Sequence, residues 1–316
     1  GQMKRITSAG GVHDVTGNGN NLFIDSYSSQ DVPGITNIVD INGKVLNNIL
    51  TAGNPLLDYR IGKTKIFTMK DDAGFDLYCR MITPPDFDST RKYPVIVYVY
   101  GGPHEQLIVD DWLGGGTLWF NYMAEKGYII FTLDNRGSAY RGLRFEQEIF
   151  RHLGSKEIED QVEGVIYLKS LSYVDSTRMG VHGWSYGGFM TTSLMTRTPD
   201  LFKVGVAGGS VIDWDYYEVM YTERYMDTPQ TNPEGYAESN LLNYVGNLKG
   251  KLLMIHGTSD PVVVWQQDLM FCKKAADLNI PLDYFPYPGQ EHGVTGKDKL
   301  HLYSKITSYF DDALMK

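Results

Sequence analysis

An α/β fold built on a doubly wound, mostly parallel sheet is what this sequence predicts, with a short all-β segment ahead of it. Three observations carry the prediction. From Tyr59 onward, apolar runs alternate with stretches of helical periodicity, the signature of a parallel sheet covered on both faces. Before that point, short strand-like runs are separated by turns rich in Asn and Gly. Between residues 179 and 190 an apolar strand passes through a glycine-rich turn directly into a helix. These patterns divide the chain into a β segment over 1–54 and an α/β domain over 55–316.

In the first segment, Val12–Val15 and Leu22–Ile24 flank Gly17-Asn-Gly-Asn-Asn21, and Ile35–Ile41 and Lys44–Leu50 flank Asn42-Gly43. Both are hairpin patterns. Isolated hairpins are marginal in water and need neighbouring strands, and a self-contained β subdomain of this length is small. In the second segment the expected strands are Lys65–Thr68, Asp76–Ile82, Pro94–Tyr100, Tyr128–Leu133, Met179–Gly183, Val204–Gly208, Leu252–His256 and Leu282–Tyr287. Helices fit Leu118–Lys126, Glu157–Leu171, Gly187–Thr198, Gln266–Leu278 and Leu300–Leu314. No internal repeat or low-complexity tract interrupts them.

Composition narrows the class. With 316 residues, 42% apolar and 21% charged, the chain has the make-up of a globular protein with a sizeable core. A net charge of -9 without a basic stripe argues against nucleic acid or an anionic membrane surface as partner. No apolar run is long enough to span a bilayer. No signal peptide is visible, and Gly1 reads as an internal boundary. Cys79 and Cys272 are the two cysteines; so far apart, they form neither a disulfide framework nor a zinc site and read as free thiols.

Chemistry concentrates at Gly183-Trp184-Ser185-Tyr186-Gly187-Gly188. A serine on a sharp strand-to-helix turn is held in a strained conformation with its hydroxyl presented above the sheet edge, and glycines are needed where side chains would strike the neighbouring strand or helix. Ser185 is therefore the candidate nucleophile. A serine hydroxyl needs an imidazole to take its proton, and the imidazole needs a carboxylate to fix its tautomer. In α/β-hydrolases these follow in the order Ser, Asp or Glu, His. Downstream, strand Leu252–Ile255 runs into a loop ending at Asp260-Pro261, and strand Leu282–Tyr287 into Pro288-Gly-Gln-Glu-His292. Asp260 and His292 thus sit at two successive strand ends on the edge where open α/β sheets place their sites. Asp260 also fits an Asx-turn and His292 a solvated loop position. His182 and His256 read as packing or bonding locally; His104, His152 and His301 do not fit the order. Asp283 lies in a strand and Asp268 in a helix, so Asp260 is preferred. For the oxyanion, the Tyr186 N–H follows from the turn itself. The second donor comes from Tyr100-Gly-Gly-Pro-His104, either the Tyr100 hydroxyl or a glycine N–H.

These residues, together with Asp134-Asn-Arg-Gly-Ser138, Tyr221-Thr-Glu-Arg-Tyr-Met226 and His256-Gly-Thr258, resemble the prolyl oligopeptidase clan of serine peptidases, within it the dipeptidyl peptidase IV subfamily. Asp260-Pro-Val-Val-Val-Trp-Gln266 and Glu291-His292 look closest to bacterial prolyl tripeptidyl aminopeptidases. The resemblance implies Ser185, Asp260 and His292 as the catalytic triad, and the Tyr100 hydroxyl and Tyr186 N–H as the oxyanion hole. It implies a proline-sized pocket of Tyr186, Val211, Trp214, Tyr217 and Tyr221, with Val263 also at the substrate. It implies that Glu218 helps hold the substrate ammonium, an interaction a carboxylate suits by charge-assisted hydrogen bonding, and that Arg224 contacts a peptide carbonyl. Read from the residues alone, Glu218 is equally a solvated helix residue and Arg224 a salt-bridge partner of Glu223 or Asp227. Trp214, Tyr217, Tyr221 and Tyr225 recur at helical spacing; the interleaved charges place this aromatic stripe at a rim with wet polar tips rather than inside the core. Val262, where dipeptidyl members tend to carry asparagine, and Glu218, where they tend to carry aspartate, favour the tripeptidyl group.

The expected activity is hydrolysis after proline near a peptide N-terminus, releasing X-X-Pro tripeptides through an acyl-enzyme, with no metal or cofactor. X-Pro dipeptide release is the alternative within peptidases. A carboxylesterase would use the same three residues. A fragment acting as an assembly module is the non-catalytic reading. The resemblance further implies a homodimer, a periplasmic or secreted location, and a leftover blade of a gating β-propeller at residues 1–54.

Overall fold

Two sheets organise the chain in the computed structural model, which describes residues 3–316; Gly1, the expected boundary, lies outside them. The first sheet is an antiparallel meander of β1 (Val12–Gly17), β2 (Leu22–Ser29), β3 (Val32–Asp40) and β4 (Val45–Thr51). Both expected hairpins are present. A third turn at Gln30-Asp31 joins them and extends β2 and β3 beyond the expected ranges. The sheet buries little: Val39 is its one fully buried apolar side chain among the described residues, and every residue of β4 is exposed. It is tied to the rest through Val12 N–H donating to Asp110 O at 3.1 Å and the Ser28 hydroxyl donating to Asp111.

The second sheet has eight strands: β5 (Lys63–Lys70), β6 (Asp76–Thr83), β7 (Tyr93–Tyr98), β8 (Ile129–Asp134), β9 (Val174–Trp184), β10 (Val204–Gly208), β11 (Lys251–Gly257) and β12 (Asp283–Tyr287). Their order is β12-β11-β10-β9-β7-β8-β6-β5. The pairs β5–β6 and β6–β8 are antiparallel, and every later pair is parallel. The central strands are buried on both faces, as β8 and β10 are throughout, because helices cover each side. On one face α1 (Leu118–Glu125) and α8 (Gly296–Leu314) pack Trp119, Phe120, Met123, Leu302, Ile306 and Phe310 onto the sheet. On the other, α3 (Lys156–Ser170), α4 (Tyr186–Arg197) and α7 (Gln266–Asp277) contribute Val165, Leu168, Phe189, Leu194 and Phe271.

Between α1 and α3 lies a single turn, α2 (Leu143–Glu146); α5 (Val219–Met226) and α6 (Pro233–Ser239) fill the crossover from β10 to β11. α2 and α6 escaped the periodicity reading because each is short, and α5 is foreshadowed there only by the helical spacing of Trp214, Tyr217, Tyr221 and Tyr225. β7 ends at Tyr98, two residues before the expected limit, so Tyr100 lies in the loop beyond it. β9 begins five residues early, at Val174, because Tyr93 pairs with it there. Among the described residues no helix is long and apolar enough to cross a membrane.

Candidate active site

The turn between β9 and α4 is built by steric exclusion. A Cβ on Gly183 would lie 2.3 Å from both Gly187 O and Val99 O, and one on Gly187 2.3 Å from Val99 O. Those are rigid backbone atoms, so only glycine lets strand, helix and the end of β7 meet this closely. Between them Ser185 takes φ 63° and ψ −120°, a left-handed conformation that side-chain-bearing residues pay to adopt. Its N–H donates to Gly208 O at 2.8 Å. Although it stands at the N-cap of α4, its hydroxyl caps nothing, which leaves the oxygen free.

His292 arrives from the loop after β12. Its carbonyl accepts from Trp184 Nε1 at 2.8 Å, and its ring lies over Gly209, where an added Cβ would come within 3.2 Å of Cε1. These contacts seat the imidazole beside the residue preceding the serine and above the end of β10. Its Nδ1 is 2.6 Å from Asp260 Oδ2, which leaves Nε2 as the acceptor nitrogen of the neutral ring.

Asp260 sits in the loop after β11, its side chain 1% exposed. Oδ1 accepts from the Val262 and Val263 amides at 2.8 and 2.9 Å. The Asx-turn reading and the pairing with His292 are therefore both present: one oxygen shapes the loop while the other faces the imidazole. Burial pushes this carboxyl up, yet the hydrogen bonds from His256, His292 and the Val262 amide outweigh it and hold the group well below the usual carboxylate range.

Tyr100 lies against the same turn; its Cα would be 3.2 Å from a Cβ on Gly187. Burial pushes its phenol up to about 12, so at neutral pH it remains an O–H donor. Tyr186, the first residue of α4, has an N–H among those a helix leaves unpaired at its start. Its side chain points away from solvent and donates to Glu157 Oε1 at 2.6 Å. Sequence reasoning missed Glu157; nothing local marks a helix residue as the partner of a tyrosine 29 positions on.

The aromatic cluster forms, but not as one helical stripe. Trp214 belongs to a short 3₁₀ turn (Trp214–Tyr216), Tyr217 follows it, and α5 starts only at Val219. Nor is Trp214 at a wet rim: it is 1% exposed, and its ring meets those of Tyr186, Phe189 and Tyr217 and stacks on Tyr221. The interleaved charges do not prevent this: Asp215, Glu218, Glu223 and Arg224 are exposed, while the buried Asp213 accepts from Asp215 N at 3.1 Å and from Asn240 Nδ2 at 2.7 Å. Val211, Trp214 and Tyr186 are thus a buried backing, with Tyr217 and Tyr221 half-buried in front. Tyr217 and Tyr221 meet edge to face at 5.3 Å.

Three expected substrate residues are placed differently. Glu218 is the N-cap of α5, accepting from Met220 N at 3.1 Å, rather than a residue inside a helix. Arg224 is exposed and makes no ion pair among the described residues; Asp227 pairs with Arg151 at 2.8 Å instead. Val263 is fully buried, and its carbonyl faces His256 Nε2 at 2.8 Å. The rival bases are occupied elsewhere. His182 Nδ1 lies 2.8 Å from Val206 O, and burial pushes the ring down to about 4. His104 pairs with Glu146, His152 with Glu238, and His301 with the Tyr287 hydroxyl. His256 does more than bond locally, since its Nε2 also approaches Asp260 Oδ2 at 3.4 Å.

An unencumbered serine, an imidazole with a fixed tautomer, a buried carboxylate and a helix-start N–H donor are parts that acyl transfer requires. A model of the prolyl oligopeptidase family matches residues 118–316. Human dipeptidyl peptidase 8 is 32% identical over 309 residues, covering 93% of this chain and 34% of that protein. Pig dipeptidyl peptidase 4 is 34% identical over 265 residues, 81% of this chain and 34% of its own. A structure of a putative dipeptidyl aminopeptidase IV from Bacteroides ovatus superposes with a TM-score of 0.94 at 53% identity, covering 96% of this chain and 43% of that one. Dipeptidyl peptidase 4 of Porphyromonas gingivalis gives 0.92 at 31% identity over 98% of this chain and 45% of that one. The chain spans about a third of the length of the curated relatives it matches.

Proposed function

The chain belongs to the prolyl oligopeptidase family of serine peptidases, and on that premise we propose that it hydrolyses the bond after proline near a peptide N-terminus. Ser185 Oγ attacks the prolyl carbonyl while His292 Nε2 takes its proton; the imidazolium that forms is stabilised by Asp260, which keeps Nδ1 protonated throughout. The Tyr186 N–H and the Tyr100 hydroxyl donate to the developing oxyanion, and preorganised donors stabilise it without reorganisation cost. His292 then gives the proton to the departing amine. Water repeats the cycle on the acyl-enzyme. The single observation that carries this reading is the 2.6 Å contact between His292 and the buried Asp260 beside a left-handed serine whose hydroxyl has no other task. Flat rings at Tyr217 and Tyr221 over Trp214 suit a pyrrolidine, which presents apolar faces and no N–H.

Release of X-Pro dipeptides is supported by the names of the relatives. Release of X-X-Pro tripeptides is supported by Glu218, an exposed carboxylate next to Tyr217 that spends one oxygen on its helix. Whichever length holds, the homodimer, the export and the blade of a β-propeller at β1–β4 are carried by the resemblance and belong to the same proposal. A fluorophosphonate probe labels the wild-type protein and not Ser185→Ala; a correctly folded wild type that stays unlabelled refutes the nucleophile. Gly-Pro against Ala-Ala-Pro chromogenic anilides decides the length of the released peptide. Simple esters cleaved far better than either would mark an esterase.

A further inference from the structure

Behind the carboxylate of the site lies a second buried pair that the reaction scheme does not use. His256, at the end of β11, is fully buried, as is Asp268 in the first turn of α7. His256 Nδ1 is 3.0 Å from Asp268 Oδ2. On the other edge of the ring, Nε2 faces two oxygens, the Val263 carbonyl at 2.8 Å and Asp260 Oδ2 at 3.4 Å. Four side chains therefore stand in a row: Asp268, His256, Asp260, His292.

The chemistry of the partners fixes the protons. A carbonyl only accepts, so Nε2 carries a hydrogen. Nδ1 looks at a carboxylate, and two bare lone pairs at 3.0 Å repel, so one proton lies between them. Burial on its own would push that proton toward Asp268, whose carboxyl is raised for this reason. Burial also disfavours a charged His256, yet the hydrogen bonds to Asp260 and Asp268 outweigh it and push the ring up to about 10. Asp268 stands at the third position of α7, where the unpaired N–H groups favour a carboxylate. An imidazolium at His256 thus has a carboxylate within 3.4 Å on either side.

We propose, on the peptidase reading above, that His256 and Asp268 are positioning residues for Asp260: the imidazolium fixes the rotation of the Asp260 carboxylate and Asp268 keeps that imidazolium charged and in place. With Oδ1 held by two amides and Oδ2 bonded to His292 and 3.4 Å from His256 Nε2, the carboxylate has one orientation, with Oδ2 directed at His292. The cation also draws on the negative charge that Asp260 presents to His292, and so sets the acid limb of Ser185 labelling. The ionisable groups around His256 are Asp260 and Asp268; those around Asp260 are His256, His292, Asp268 and the Tyr217 hydroxyl; Glu291, next to His292 in the chain, is exposed.

Asp268→Asn tests this, because its amide can still donate to Nδ1 while the charge is gone. His256 then becomes neutral, Asp260 presents more negative charge to His292, and the acid limb of the labelling rate moves to higher pH. Labelling of Ser185 by a fluorophosphonate, followed from pH 4 to 9, is expected to slow by about tenfold at neutral pH, as loss of an outer-sphere partner does, with that upward shift of the midpoint. A partner that merely supported packing would lower the rate and leave the midpoint where it was. His256→Gln, which keeps a donor for the Val263 carbonyl, is expected to shift the midpoint the same way. Ring NMR of the wild-type protein needs no variant to fold: His256 is expected not to titrate between pH 5 and 8, and titration in the ordinary histidine range overturns the proposal. A wild type that labels, alongside variants with an unmoved midpoint, overturns the positioning role alone. A wild type that never labels overturns the peptidase reading with it.

Discussion

Replacing Glu157 with glutamine is expected to raise stability at alkaline pH while leaving it nearly unchanged in acid. Glu157 is fully buried; Oε1 accepts from Gly154 N at 3.0 Å and from the Tyr186 hydroxyl at 2.6 Å, while Oε2 has no partner. Burial pushes the carboxyl from 4.5 up to about 7, against the pull of those two donors. Between these values the folded chain keeps a proton that the unfolded chain has released. Unfolding then releases a proton, so stability falls as pH rises, by about 1.4 kcal/mol for each pH unit. Below 4.5 the contribution is complete, and above about 7 it is gone, a loss on the order of 3 kcal/mol. The Glu157→Gln side chain cannot titrate and keeps the acceptor for both donors. Urea unfolding of both proteins at pH 5, 6, 7 and 8 measures the difference, in which every other titrating group cancels. The variant should gain on wild type by on the order of 3 kcal/mol between pH 5 and 8. A difference that stays constant across that range would refute the raised carboxyl, and with it the claim that a neutral acid holds the Tyr186 ring.

Two further substitutions probe the site directly. Tyr100→Phe removes one oxyanion donor and keeps the ring that packs near Tyr186; steady-state kinetics on a prolyl anilide should show a barrier higher by about 3 kcal/mol, roughly a hundredfold in kcat, with KM little changed, and an unaltered kcat would remove Tyr100 from the mechanism. Gly187→Ala forces a methyl to within 2.3 Å of Val99 O; thermal unfolding should report a loss of about 3 kcal/mol or more together with loss of probe labelling, and a variant as stable and reactive as wild type would show that the turn is not set by that approach.

Local signals made much of this protein legible. Glycines at 183 and 187 read correctly because their requirement is steric and short-ranged: a strand, a sharp turn and a helix meet there whatever surrounds them. Strands such as Val204–Gly208, found with the expected bounds, are read just as directly, since a strand covered on both faces is a near-continuous apolar run. The serine, the carboxylate and the imidazole could be placed in chain order because each ends a strand on one sheet edge.

Other features had no sequence signature, because they are set by which side chains are buried against each other after folding. Trp214 shares its helical spacing with Tyr221 but is stacked beneath it, deep in the core, since the chain enters α5 only after a 3₁₀ turn. The Glu218 carboxylate, read as a ligand or a solvated group, is engaged by a helix start whose position the periodicity did not give. His256 lies four residues before Asp260, a spacing that says little until β11 and its loop fold the imidazole back onto the carboxylate. Asp268 joins them only because α7 packs its first turn against the same strand end. Local sequence signals named the candidate groups and the edge of the sheet on which they gather. Tertiary packing decided which charges are taken out of water together, and burial alone makes those partnerships strong enough to govern the chemistry.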